Sequence, residues 1–191
     1  VLEVELSPRQ ALRCDLLLKL AQVYQQHLQI AESAVETYEE MFELRPHDSG
    51  AIHGLQTLFA TGQIQYRIAD ILKPIYMARQ EWRPLYDQNY QLINSMELGD
   101  QRQDAILEIA SIAHEQLGEV HTALWWYGEG FKENPLEDQC RSHLHELATA
   151  HGYHDQLLLI YTEGRAHLQE VERLCEISYH IADLYVNHYQ E

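Results

Sequence analysis

Leu20-Ala21-Gln22-Val23-Tyr24 recurs as Ile109-Ala110-Ser111-Ile112-Ala113 and again as Ile181-Ala182-Asp183-Leu184-Tyr185. The first two copies stand 89 positions apart and the last two 72. At the longer shift the match runs on without a gap. Leu28 meets Leu117, Ala34 meets Ala123, Tyr38 meets Tyr127, Phe42 meets Phe131 and Pro46 meets Pro135, and then Leu55 meets Leu144 and Leu58 meets Leu147. A fixed self-similarity outranks any domain count made from length, because each copy is a supersecondary unit that buries its apolar face only against its neighbours. The longer shift exceeds the shorter by seventeen residues, which are placed near Gln63 to Arg79 because Trp82-Arg83-Pro84-Leu85 meets His154-Asp155-Gln156-Leu157 at the shift of 72.

Within each copy the apolar period is helical. Leu12, Leu17, Ala21, Tyr24 and Leu28 form one stripe, and Ala31, Ala34, Val35, Tyr38 and Phe42 form the next. Ser7-Pro8 reads as an N-cap followed by a first-turn proline, and Asn134-Pro135-Leu136-Glu137 as an N-cap, a proline and a capping-box glutamate. The five prolines, Pro74 among them, are expected at segment starts, and Gly62, Gly99, Gly118 and Gly152 between segments. No stretch alternates like a strand. The fold class expected is all-α, an α-solenoid of antiparallel helical hairpins, with about nine or ten helices joined by short loops. Because 72 is twice 36, each unit reads as two hairpins of about 36 residues. The expected organisation is a single repeat domain over 1–191: a unit at about 8–99 carrying the extra segment near 63–79, a second at 100–171, and the start of a further repeat at 172–191.

Composition narrows the task. The chain has 191 residues, 46% hydrophobic and 23% charged, which is globular rather than disordered or fibrous. A net charge of −17 repels phosphate backbones and anionic membranes, so nucleic acid is not expected as a partner. No apolar run has the length of a membrane span and no secretory signal is present, so membrane insertion is not expected. Cys14, Cys140 and Cys175 are odd in number and far apart, which suits free thiols in a reducing space and places the chain in the cytoplasm. The twelve histidines form no HExxH and no i, i+4 pair, so neither a metal nor another cofactor is expected. With no GxSxG, no phosphate loop and no dinucleotide fingerprint, the chain is not expected to be an enzyme.

Ala21, Tyr24, Ala34, Tyr38 and Pro46, and again Ala110, Ala123, Tyr127 and Pro135, resemble the tetratricopeptide pattern. In that pattern small residues let two helices cross closely and an aromatic fills the gap to the next hairpin. The resemblance is nearest to divergent arrays in large bacterial proteins, and it departs from the family where Gln22, Ser111, Met41 and Gly130 replace small positions. It implies that the first helix of each hairpin lines a concave groove. By position the groove residues would be Asp15, Leu18, Lys19, Gln22 and Gln25, then Asp104, Leu107, Glu108, Ser111 and His114, then Glu176, Tyr179, His180, Asp183 and Val186. Such a track is net acidic and suits a protein or peptide with basic or polar segments. The family's carboxylate clamp is not expected, since only Lys19 supplies a suitable cation. Trp125 and Trp126 stand where the first unit has Glu36 and Thr37, and are expected to make a surface contact with a partner, another protomer or the extra segment. The function expected is a non-catalytic interaction scaffold; the alternative is a structural spacer or self-association segment, joined through an apolar edge left at the last helix.

Overall fold

The computed structural model describes residues 7–46, 48–135, 138–166, 168 and 170–189. Among these the chain is all-helical, and ten α-helices follow one another: α1 (Pro8–Val23), α2 (Ala31–Leu44), α3 (Ser49–Phe59), α4 (Gln65–Arg79), α5 (Trp82–Ser95), α6 (Asp100–Ser111), α7 (Val120–Glu133), α8 (Asp138–His151), α9 (His154–Arg165) and α10 (Val171–Leu184). Helices α1, α6 and α10 each run into a five-residue π turn, at Tyr24–Leu28, Ile112–Gln116 and Tyr185–Tyr189.

The internal repeat is visible in the helix bounds. Helices α2 and α7 are both 14 residues long and start 89 positions apart, and α3 and α8 also start 89 apart. Even the irregular turn repeats: Gln29 (φ 55°) and Gly118 (φ 68°), again 89 apart, both leave the π turn in the left-handed region. Glycine adopts this conformation freely, whereas glutamine is strained there by about 1 kcal/mol.

The chain divides into two compact units, Val1–Glu81 and Trp82–Glu191. In the first, α1 packs on α2, α2 on α3 and α3 on α4. Ser7 caps α1 with a full capping box, as its position before Pro8 predicts. Ala21 of α1 and Ala34 of α2 are both fully buried, as are Cys14, Val35 and Tyr38. Not all of the α1 stripe turns inward: Leu12 and Leu28 are exposed, and with Leu16, Leu20 and Val23 they leave an apolar row on the outside. Pro74 corrects the expectation that prolines stand only at segment starts, for it lies inside α4. The buried row Ile68, Leu72, Ile75 and Tyr76 spans the proline and outweighs its lost hydrogen bond.

In the second unit α5 packs on α6, α6 on α7, α7 on α8 and α9, α8 on α9, and α9 on α10. Its core joins Ile106, Ile109, Ala110, Ala123, Tyr127, Phe131, Leu144, Leu157 and Tyr161. Arg102 on α6 holds Glu133 of α7 through Nε and Nη2 at 2.8 to 3.0 Å and donates to the Ile93 carbonyl of α5, fastening three helices. Helix α8 begins at Asp138; Leu136 and Glu137 of the expected cap lie outside the described residues, and Asn134 closes α7 instead. The seventeen extra positions amount to one more helix. Helix α4 packs on α3 as α9 packs on α8, and α5 packs on α6 as α9 packs on α10.

Candidate functional site

The side chains proposed to line a groove fall on α1, α6 and α10 with their π turns, and each helix treats them differently. On α1, Asp15, Lys19 and Gln22 are exposed at steps of four and three, one solvated face. Leu18 is half-buried over α3: a Cβ on Gly50 would stand 3.0 Å from Leu18 Cδ2. Gln25 is committed internally. Its Oε1 accepts from the Tyr38 hydroxyl at 2.9 Å and its Nε2 donates to the Gly54 carbonyl at 3.4 Å, so it ties the π turn to α2 and α3.

On α6, Asp104 is exposed, while Glu108, Ser111 and His114 are half-buried. Leu107 packs against the core, and the Ser111 hydroxyl donates to Glu115 at 3.1 Å. On α10, Tyr179 is 71% and Val186 62% exposed, and Asp183 accepts from Asn187 Nδ2 at 2.8 Å. Glu176 and His180 do not point freely outward, because both belong to a joint with α8 and α9.

That joint is a network of ion pairs and hydrogen bonds across the three helices. Arg141 of α8 pairs with Glu176, and its Nη2 donates to Asp138 at 2.9 Å. Arg173 of α10 closes the lattice by donating to Asp138 at 3.1 Å and to Glu176 at 2.8 Å. These arginines hold the carboxyls of Asp138 and Glu176 below the usual carboxylate range, chiefly through hydrogen bonds from Arg141 and Arg173 respectively. Beside them His145 Nδ1 lies 3.2 Å from the Tyr161 hydroxyl, and the rings of His145 and His180 are 5.5 Å apart. A cavity of about 180 Å³ opens between Arg141, His145, Tyr161 and His180. Burial holds the Tyr161 phenol neutral. Sequence reasoning missed this cluster, although a signal existed: Arg141 and His145 on α8, and Glu176 and His180 on α10, share the same spacing of four.

The tryptophans part company. Trp125 is 52% exposed, in keeping with a surface position, whereas Trp126 is 2% exposed and is no surface contact. Its indole N–H donates to the Tyr86 hydroxyl at 3.0 Å, and its ring meets Tyr90 edge-on at 6.0 Å, so its side chain is engaged by α5. The repeat explains the burial: Trp126 takes the place of Thr37, which is buried as well.

Among the described residues no group of three or more His, Cys, Asp or Glu is arranged to hold a metal ion, and no helix is long and apolar enough to cross a membrane. No protein-family model matches the chain, and no curated protein matches it in sequence.

Proposed function

We propose that the chain is a tetratricopeptide-like α-solenoid segment that binds a protein or peptide without chemistry of its own, through the acidic and polar faces of its repeated first helices. The observation that carries this is the equivalence of Asp15 and Asp104, 89 positions apart and both exposed on the first helix of their units, in a chain of net charge −17. Around them Lys19 and Gln22 on α1 and Glu108 and Ser111 on α6 keep the face polar, while the opposite face of each helix is committed to its neighbour. An exposed carboxylate at the same place on the first helix of each unit favours segments bearing Lys or Arg. Glu176 and His180 contribute less than their position suggests, since the joint with Arg141 already engages them.

The test is binding of the purified chain to an array of defined peptides graded in charge. Lys- and Arg-containing sequences should be selected, and the double variant Asp15→Lys, Asp104→Lys should lose them at least tenfold. Selection of neutral or acidic peptides, or of none, removes the groove from the account, as does retention of basic peptides by the charge-reversed variant.

A second reading, a self-association or spacer segment, is favoured by one observation. Ala21 and Ala110 are fully buried, but the equivalent Ala182 on α10 is exposed, in company with Val171, Tyr179 and Val186. An apolar helix face of this kind suits a second helix laid across it.

A further inference from the structure

Two contacts of the α8–α9–α10 joint involve its histidines, and one of them fixes a protonation state. Arginine has donors and no acceptor, so the 3.5 Å contact of Arg141 Nη1 with His180 Nε2 needs that nitrogen to be unprotonated. His145 Nδ1 lies 3.2 Å from the hydroxyl of Tyr161, which donates to it while Nδ1 is bare and must turn to accept once Nδ1 carries a proton.

We propose that this joint is an acid-sensitive latch, in which protonation of His145 and His180 beside Arg141 releases α10 from α8 and α9. A proton on His180 Nε2 would turn an N–H toward the guanidinium that it now accepts from. A proton on His145 would add a cation in a half-buried site already facing Arg141 and His180.

Charges from all three helices bear on the balance. On α8, Asp138 is taken up by Arg141 and Arg173, and Glu146 is exposed; on α9 the facing group is the neutral Tyr161; on α10, Glu176 is paired with both arginines and Asp183 is exposed and hydrogen-bonded to Asn187. Glu146 and Asp183 favour the charged imidazole, but burial first, then His180 and Arg141, oppose it, and the His145 pKa is lowered. A histidine with a folded-state pKa below its unfolded value stabilises the fold in its neutral form. That stability is complete above the unfolded value of about 6.5 and is lost as the pH falls through it toward the lower folded value. Release is local because α10 leans on α9 and on this joint, and its far face, with Val171, Cys175 and Ala182, is uncovered.

Amide hydrogen exchange of the whole chain, corrected for the intrinsic pH dependence, tests this. Between about pH 7.5 and about pH 5.5, protection across 173–184 should fall about tenfold while that of α7 holds. His145→Gln, whose amide can still accept from Tyr161, should flatten the change by at least half. As a check that needs no variant, the NMR titration midpoint of the His145 ring should coincide with that of the Ile177 methyls on α10. Constant α10 protection across the range, an undiminished pH response in His145→Gln, or separate midpoints would each overturn the latch.

Discussion

Gly54 is where α3 makes room for Tyr38. A Cβ there would overlap the Tyr38 hydroxyl, which the Gln25 side chain holds from the other side at 2.9 Å. Gly54→Ala must push a fully buried tyrosine off its rotamer or part α2 from α3, so a loss of about 2 kcal/mol is expected. The midpoint of denaturant unfolding should drop accordingly, and Tyr38→Phe, which removes the overlapping hydroxyl, should restore part of the loss in the double variant. In the second unit the same contact is solved differently: His143 replaces Gly54 and stacks on Tyr127 at 5.1 Å. Legibility at this scale followed chemistry. Small residues on a helix's apolar stripe are readable as core because volume alone selects them, and Ala21, Ala34, Ala110 and Ala123 are all fully buried. The burial of Trp126 is not written in its own aromatic size but in its place in the repeat, where its counterpart Thr37 is buried too. The Arg141 cluster depends on which faces of three helices meet, and pattern within one helix does not carry that.

At the scale of the element, three copies of one helix have different fates. Cys14 on α1 and Cys175 on α10 hold corresponding places in the first and third copies, yet Cys14 is buried and Cys175 is exposed. Thiolate chemistry requires access, so the difference can be counted. In the native chain a thiol reagent should modify one cysteine quickly, and mapping should place it at Cys175; Cys14 and Cys140 should react only on unfolding. The same rate decides between the two functional readings: if copies pair through the α10 face, labelling of Cys175 should slow as protein concentration rises, and a rate independent of concentration counts against self-association. The helix series itself was legible from the 89-residue shift, since α2 and α7 are bounded at corresponding residues. Helix α4 shows the limit of local rules: proline punctuation argues for a break at Pro74, and the buried row on either side keeps the helix whole.

At the scale of the whole molecule the charge balance governs. Thirteen lysines and arginines face thirty aspartates and glutamates, and several of the cations are already bound in ion pairs such as Arg67 with Glu32 and Glu39, and Lys132 with Glu129 and Glu163. Salt weakens those attractions and the repulsion among the remaining carboxylates alike, and magnitude decides which matters more. Exposed pairs contribute about 0–1 kcal/mol each and are short-ranged. A surplus of seventeen negative charges repels over the full Debye length, about 10 Å at 0.1 M salt, and every unpaired carboxylate takes part. Net repulsion should therefore be the larger effect, and raising NaCl from about 20 to about 300 mM should lift the Tm by about 3 °C. The measurement belongs near pH 8, where the His145 imidazole is neutral and the α10 joint is closed. A Tm that falls with salt would mean that the ion-pair lattices, Arg102–Glu133 and the Arg141–Glu176 joint foremost, outweigh the surplus. The same surplus should make binding of basic peptides weaken over the same range of salt, because screening acts on the attraction to a cationic partner just as it acts on the repulsion within the chain.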